Sequence, residues 1–245
     1  IPAGTGLGSS STYTVGLVNA LHCLKRDNIP IKNLAEEACE IEIDVLKKPM
    51  GKQDQYLATY GGFSVLEISR DGHVEVSSAN IKISVMDELK RNLMIFYTGK
   101  QRINRKILSE QNNATKNDDK TVLDSLHYIK DSGYKILEIM EDGNISELGK
   151  MFDDHWKYKK RLAKDVTNPK FDKIYDLAKK NGAIGGKISG AGGGGFFTFF
   201  CQNNHAQLRN AMESMGLIEL RYEFDFEGTK VLANFMNYQS TGNGF

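Results

Sequence analysis

The sequence predicts an α/β (α+β) protein of two domains, on three observations. Clusters of strand-like runs flanked by helical patterns occur in both halves of the chain. Its 245 residues are long enough for one large domain or two ordinary ones. Two glycine-rich loops, one near each end, lie directly against apolar runs rather than in polar linkers. The boundary falls near Ser84 to Arg91, giving domains of 1–88 and 89–245.

The elements follow in order. Apolar residues at Leu17, Val18, Leu21 and Leu24 predict a helix from about Ser10 to Lys25, with Ser9, Ser10 and Ser11 as candidate caps. A second helix is expected over 33–46, with Asn33 as N-cap and Glu36 at capping-box spacing. Pro49 and Gly51 resist its continuation, and KQDQYLATYG reads as a short linking segment. Alternation in FSVLEIS, HVEVSS and IKISVM predicts three strands, and NLMIFYTG a buried one. Helices are expected over 121–140, 145–162 and 169–180, the last capped by Asn168 with Pro169 at its first position. GKIS and FFTFFC read as strands around the second glycine run. A helix near 204–215 and one or two strands from LIELRYEFDF and TKVLANF close the fold.

Lys plus Arg number 32 against 31 Asp plus Glu, a net charge of +1, so no bulk electrostatic pull toward nucleic acid or a membrane surface exists. No apolar run reaches the roughly 20 residues of a spanning helix. Cys23, Cys39 and Cys201 fit neither a disulfide framework nor a zinc cluster, and read as reduced, mostly buried thiols of a cytoplasmic protein. The chain opens without Met inside a loop that reads as functional, so a fragment of a longer polypeptide is expected.

That loop, IPAGTGLGSSS, combines glycines free to expose their backbone with the start of a helix, whose N–H groups and dipole favour a phosphate. It is not a Walker A loop, because no Lys precedes Lys25. It is not a dinucleotide fingerprint either, since Ser9 or Ser11 stands where the third glycine belongs. Glu42 and Asp54 lie on either side of the Pro49–Gly51 break and can converge. A carboxylate with a hydroxyl and nucleotide phosphates suits Mg²⁺, and a second carboxylate suits a substrate hydroxyl. Downstream, KISGAGGGGF puts five glycines in six positions between two apolar strands, which calls for a tight turn or a close ligand.

P-A-G-T-G-L-G-S-S-S, P-M-G-K-Q-D-Q and K-I-S-G-A-G-G-G-G-F, in this order, resemble the GHMP small-molecule kinases. GKQDQY-x3-YGG, YTG-x2-R, HW-x2-K and NGA-x-GGK-x-x-GAGGGGF narrow the likeness to the branch acting on the anomeric hydroxyl of D-glycero-D-manno-heptose phosphate. The resemblance implies a first domain like domain 2 of ribosomal protein S5 and a ferredoxin-like second domain with extra helices. It implies ATP held by Gly4, Thr5, Gly6, Leu7, Gly8, Ser9 and Ser10, Mg²⁺ on Ser10 and Glu42, and Asp54 as base or orienting carboxylate. Gly190, Ala191, Gly192 and Gly193 would then close over the substrate. The family's first motif, which supplies substrate contacts, lies upstream of these residues, so the isolated chain is expected to lack activity.

Arg102 and Lys159 are further candidates for a substrate phosphate, against surface roles for both. His155 and Trp156 either line the sugar site or pack in the core. A small sugar phosphate is the expected partner, with no nucleic acid and no membrane; a homodimer is left open. Phosphorylation of another sugar, fucose or galactose, and a catalytically silent ligand-binding relative are the competing readings.

Overall fold

The computed structural model describes residues 6–100 and 104–233. Helix α1 (Ser9–Lys25) begins one residue before its expected start, at Gly8, which caps it in the left-handed conformation. Helix α2 (Ile31–Cys39) starts behind Pro30, so Asn33 lies inside it and caps nothing. It passes without a break into a π-helical turn, Glu40–Val45, closed by the wide Leu46 N–H to Ile41 C=O bond. The expected single α-helix over 33–46 is thus two helical forms in series. The segment read as a linker is α3 (Gln53–Tyr60). These three helices pack around Val15, Val18, Leu34 and Ala38. Ala35, Cys39 and Tyr56 meet Val74 of an antiparallel hairpin made by β1 (Ser64–Ile68) and β2 (Val74–Ser78).

The third expected strand is a helix instead, α4 (Ile83–Asn92). Its alternating I-x-I-x-V start misleads, because Val85 and Leu89, four apart, are the residues it buries, whereas Ile83 is exposed. Helix α4 also runs across the expected domain boundary and leads into β3 (Leu93–Tyr97).

The second half holds α5 (Asn104–Lys116), α6 (Lys120–Asp142), α7 (Leu148–Lys159), α8 (Pro169–Lys180), β4 (Gly185–Ile188), β5 (Phe196–Phe200), α9 (His205–Ser214) and β6 (Ile218–Leu220). Helix α8 has its expected bounds: Asn168 Oδ1 accepts from Phe171 N at 3.0 Å and Pro169 occupies the first turn. Of the two closing runs, LIELRYEFDF supplies β6, and the described residues beyond it, to 233, form no further strand.

The strands form an antiparallel sheet in the order β4-β5-β3-β6. With helices between β3 and β4 and again between β5 and β6, this is the ferredoxin-like βαββαβ order. All five residues of β5, FFTFF, are buried because both faces of the sheet are covered. On one face Phe96, Phe197 and Phe199 pack with Phe171, Ile174, Leu208 and Met212 of α8 and α9. On the other, Phe200 meets Leu148 and Phe152 of α7, Met140 of α6, and Leu89 of α4.

Helix α7 lies so close to β4 that two glycines, Gly149 and Gly185, form the contact. Asp153 of α7 accepts hydrogen bonds from Tyr175 Oη (2.6 Å) and Lys157 Nζ (2.8 Å) and pairs with Lys179 Nζ (3.2 Å), tying α7 to α8. Burial pushes its carboxyl up, but Lys157, Tyr175 and Lys179 outweigh this and hold it below the usual range. A depressed carboxylate stabilises the fold fully above its unfolded pKa and loses that effect as pH falls through the folded one. Asp153→Asn is therefore expected to melt lower than the parent at pH 7, with the gap closing below about pH 4. A gap constant from pH 7 to pH 3 would contradict this ion-pair role.

Among the described residues, no helix is long and apolar enough to cross a membrane. Cys39 and Cys201 are buried and Cys23 is half-buried.

Candidate active site

Four segments that are distant in sequence meet around one cavity of about 390 Å³. Its walls include Gly6, Gly8 and Ser9 to Ser11 from the first loop, and Lys48 to Gly51 with Gln53 and Asp54 from the α2–α3 connection. Leu108 of α5, Gly190 and Ala191 complete it. Gly6 and Gly8 have φ of +81° and +66°, a backbone that side chains rarely adopt. The turn they make delivers the first turn of α1, which no side chain caps, to the cavity wall.

Asp54 stands in the first turn of α3, half-buried and directly against this loop. A Cβ on Gly8 would lie 3.5 Å from Asp54 Cγ and 3.7 Å from its Oδ2. The carboxylate thus faces the loop backbone with about a methyl group's room between them.

Glu42 projects from the π-helical turn and is completely buried. Its Oε1 accepts from Ser10 Oγ (2.5 Å) and Lys48 Nζ (2.6 Å), and its Oε2 from Ser11 Oγ (2.6 Å) and Gln55 Nε2 (2.7 Å). Burial pushes the Glu42 carboxyl up, while Lys48, Ser10 and Ser11 prevail and keep it ionised, below the ordinary range. Lys48 Nζ also donates to Ser10 Oγ at 2.7 Å, so one ammonium bridges the Ser10 hydroxyl and the Glu42 carboxylate. Among the described residues no group of three His, Cys, Asp or Glu gathers to hold a metal unaided. A divalent ion here would take one carboxylate and one hydroxyl from the protein and its other oxygens from a ligand or water.

The second glycine loop has positive φ at Gly190 and at each of Gly192 to Gly195. Its members divide the work. Gly190 and Ala191 line the cavity. Gly192 and Gly193 pack away from it: added Cβ atoms would meet Val166 at 2.9 Å and Ile107 Cδ1 at 2.7 Å. Gly193 N donates to Val166 O (2.9 Å) and Gly195 N to Lys100 O (2.9 Å), which pins the loop.

Lys159 is buried, and its ammonium donates to the carbonyls of Ile188 (2.8 Å) and Gly190. It thus braces the entry to this loop from α7 and does not line the cavity. Trp156 belongs to the core, edge-on to Phe197. His155 is no part of the cavity wall; burial, then Lys187 and Lys159, push its imidazole down to about 3, so it is neutral at pH 7. Leu7 is described but does not line the cavity, and Gly4, Thr5 and Arg102 lie outside the described residues.

The structure brings Ser10, Glu42 and Asp54, which the sequence singles out, into one region, and adds Lys48, Gln55 and Ser11, to which the sequence gives no site role. Ser11 was in view as the third serine of the run. For Lys48 and Gln55 the only signal was their closeness to Pro49 and Asp54.

A glycine loop feeding a helix N-terminus, a buried carboxylate shared with a hydroxyl, and a second carboxylate beside that loop can accommodate a phosphate chain next to an acceptor hydroxyl, the layout that phosphoryl transfer requires. The family models agree: that for the GHMP kinases N terminal domain matches residues 1–62, and that for the GHMP kinases C terminal matches residues 136–217. A D-glycero-alpha-D-manno-heptose 7-phosphate kinase of Campylobacter jejuni is 33% identical over 94% of this chain and 68% of its own. The chain belongs to the GHMP kinases. A crystal structure of a sugar kinase from Campylobacter jejuni superposes with a TM-score of 0.71 at 29% identity, covering 93% of this chain and 63% of that one. That of a D-glycero-D-manno-heptose 1-phosphate kinase from Bacteriodes thetaiotaomicron gives 0.71 at 25%, covering 95% and 66%. The chain thus spans about two thirds of the length of these relatives.

Proposed function

We propose that the protein carrying this chain transfers the terminal phosphoryl group of ATP to the anomeric hydroxyl of a sugar phosphate, D-glycero-D-manno-heptose 7-phosphate. The observation that supports it most is the meeting of Gly8 with Asp54, in a cavity whose wall also carries Ser10 beside the buried Glu42. A phosphate chain on the loop and a hydroxyl on Asp54 would lie side by side there. The resemblance to a heptose 7-phosphate kinase supports the choice of sugar.

The residues present fit ATP with Mg²⁺. Glu42 Oε1 and Ser10 Oγ already converge on one cation, the Lys48 ammonium, and hard oxygen donors of this kind suit magnesium. When bound, Mg²⁺ neutralises charge on the phosphate oxygens. The main-chain N–H groups and dipole of α1 add to that neutralisation, and the positive-φ glycines let phosphate approach the backbone. Asp54 orients the sugar hydroxyl and accepts its proton as the new O–P bond forms and the bond to the leaving ADP breaks. Gly190 and Ala191 cover the acceptor side and exclude water, held by the Lys159 brace.

The test is ATP consumption by the intact polypeptide with Mg²⁺, comparing heptose 7-phosphate with fucose, galactose and mannose. Turnover with the heptose phosphate alone is expected. Turnover of a free sugar instead would keep the chemistry and refute the substrate.

A further inference from the structure

Lys48 takes no step in the reaction proposed above, yet its ammonium stands at the point where the two cation ligands meet. We propose that Lys48 is a resident counter-ion of the metal position. In the nucleotide-free protein it holds Glu42 and Ser10. It gives them up, and turns onto the phosphates, when a divalent cation is bound together with nucleotide. The inference rests on Ser10 and Glu42 being the cation's ligands.

Four observations carry it. Glu42 is completely buried, and a buried carboxylate needs a compensating cation. Of its four donors among the described residues only Lys48 is charged; Ser10, Ser11 and Gln55 are neutral dipoles. The ammonium contacts Glu42 Oε1 and Ser10 Oγ, the same two atoms that would take the metal. Like charges cannot share that position, so occupancy by one excludes the other. Finally, the Lys48 side chain is 29% exposed and lines the cavity beside Gly8 and Ser9, so it has room to turn outward. Its backbone stays fixed meanwhile, because Lys48 N donates to Glu42 O at 3.0 Å and Pro49 follows.

This arrangement discriminates between two forms of the same ion. A bare cation must evict the ammonium with nothing to receive it. A cation arriving with a nucleotide brings phosphate oxygens on which the ammonium re-pairs. Lys48 therefore weakens binding of bare metal and favours metal delivered with nucleotide.

The experiment measures Mn²⁺ affinity of the intact polypeptide by electron paramagnetic resonance, with and without ATP, for the parent, Lys48→Met and Glu42→Gln. Lys48→Met is expected to bind bare Mn²⁺ about tenfold tighter than the parent, and Mn²⁺–ATP more weakly. Thermal melts guard against a folding defect. Lys48→Met should melt below the parent in chelator and recover when Mn²⁺ replaces the lost charge. Equal bare-Mn²⁺ affinity in Lys48→Met and parent overturns the inference, as does a low melt that Mn²⁺ does not restore. Glu42→Gln separates the two levels. If it leaves Mn²⁺–ATP affinity unchanged, the metal reading fails and this inference with it. If it abolishes that affinity while Lys48→Met matches the parent, only the role of Lys48 fails.

Discussion

Replacing Asp54 by Asn is expected to lower turnover about a thousandfold while leaving ATP affinity within about twofold. Asn keeps the shape of the carboxylate, so the contact with Gly8 and the start of α3 are preserved. What it loses is the negative oxygen that accepts the sugar's proton. An amide can still orient a hydroxyl, so any residual rate measures positioning alone. Steady-state rates with calorimetric ATP titration separate the two effects. Turnover equal to the parent would remove Asp54 from the chemistry. A matching loss of ATP affinity would place it in nucleotide binding instead.

The second large effect is on folding. Gly185 faces α7 so closely that an added Cβ would overlap the Gly149 carbonyl oxygen and lie 2.7 Å from Asp153 N. Both are main-chain atoms and cannot rotate aside. The same crowding exists from the other side, where a Cβ on Gly149 would lie 2.6 Å from Ile184 Cγ2. Gly185→Ala must push α7 off the sheet edge, and is expected to cost about 3 kcal/mol or more. The urea midpoint of the full chain checks this, with an unchanged midpoint excluding the close α7–β4 seat. Displacing α7 also moves Lys159 from Ile188 O and Gly190 O. Variants that retain a fold should therefore lose sugar-dependent turnover before ATP binding.

Local signals made α8 fully legible, because Asn168, Pro169 and the following apolar spacing each act within one turn. Both glycine loops were legible for a similar reason: their backbone demands few residues other than glycine. Helix α4 was misread because a β-like alternation of three residues outweighed the four-residue spacing of Val85 and Leu89. The short α3 was hidden by its polar start, KQDQ, and is held by Tyr56 and Thr59, buried against elements far along the chain. In the site, residue type alone does not separate Glu42 from Glu36, Glu37, Glu40 and Asp44 on the same stretch; the resemblance to the GHMP kinases is what singles it out. The importance of Lys48 and Gln55 comes from burial of Glu42 by α1, the wide turn and α3 together. No single-segment pattern carries that. Lys159 illustrates the converse: its phrase was recognised, while its partners were set by the path of the main chain at Ile188 and Gly190.

The wide helical turn at Glu40–Val45 has a consequence for how this protein can vary. An α-helix continuing past Glu42 would bring Val45 and Leu46, three and four positions on, around to the inner side. Instead both are exposed, at 68% and 54%. The added residue per turn shifts the angular phase of everything after it, and that shift aims Lys48 back at Glu42. Substitutions at Val45 and Leu46 should therefore be cheap, since their side chains touch water. Removing either residue should not be, because the remaining chain would wind at normal pitch and carry Lys48 away from the carboxylate. At Val45 and Leu46, residue count is the constraint and residue identity is largely free.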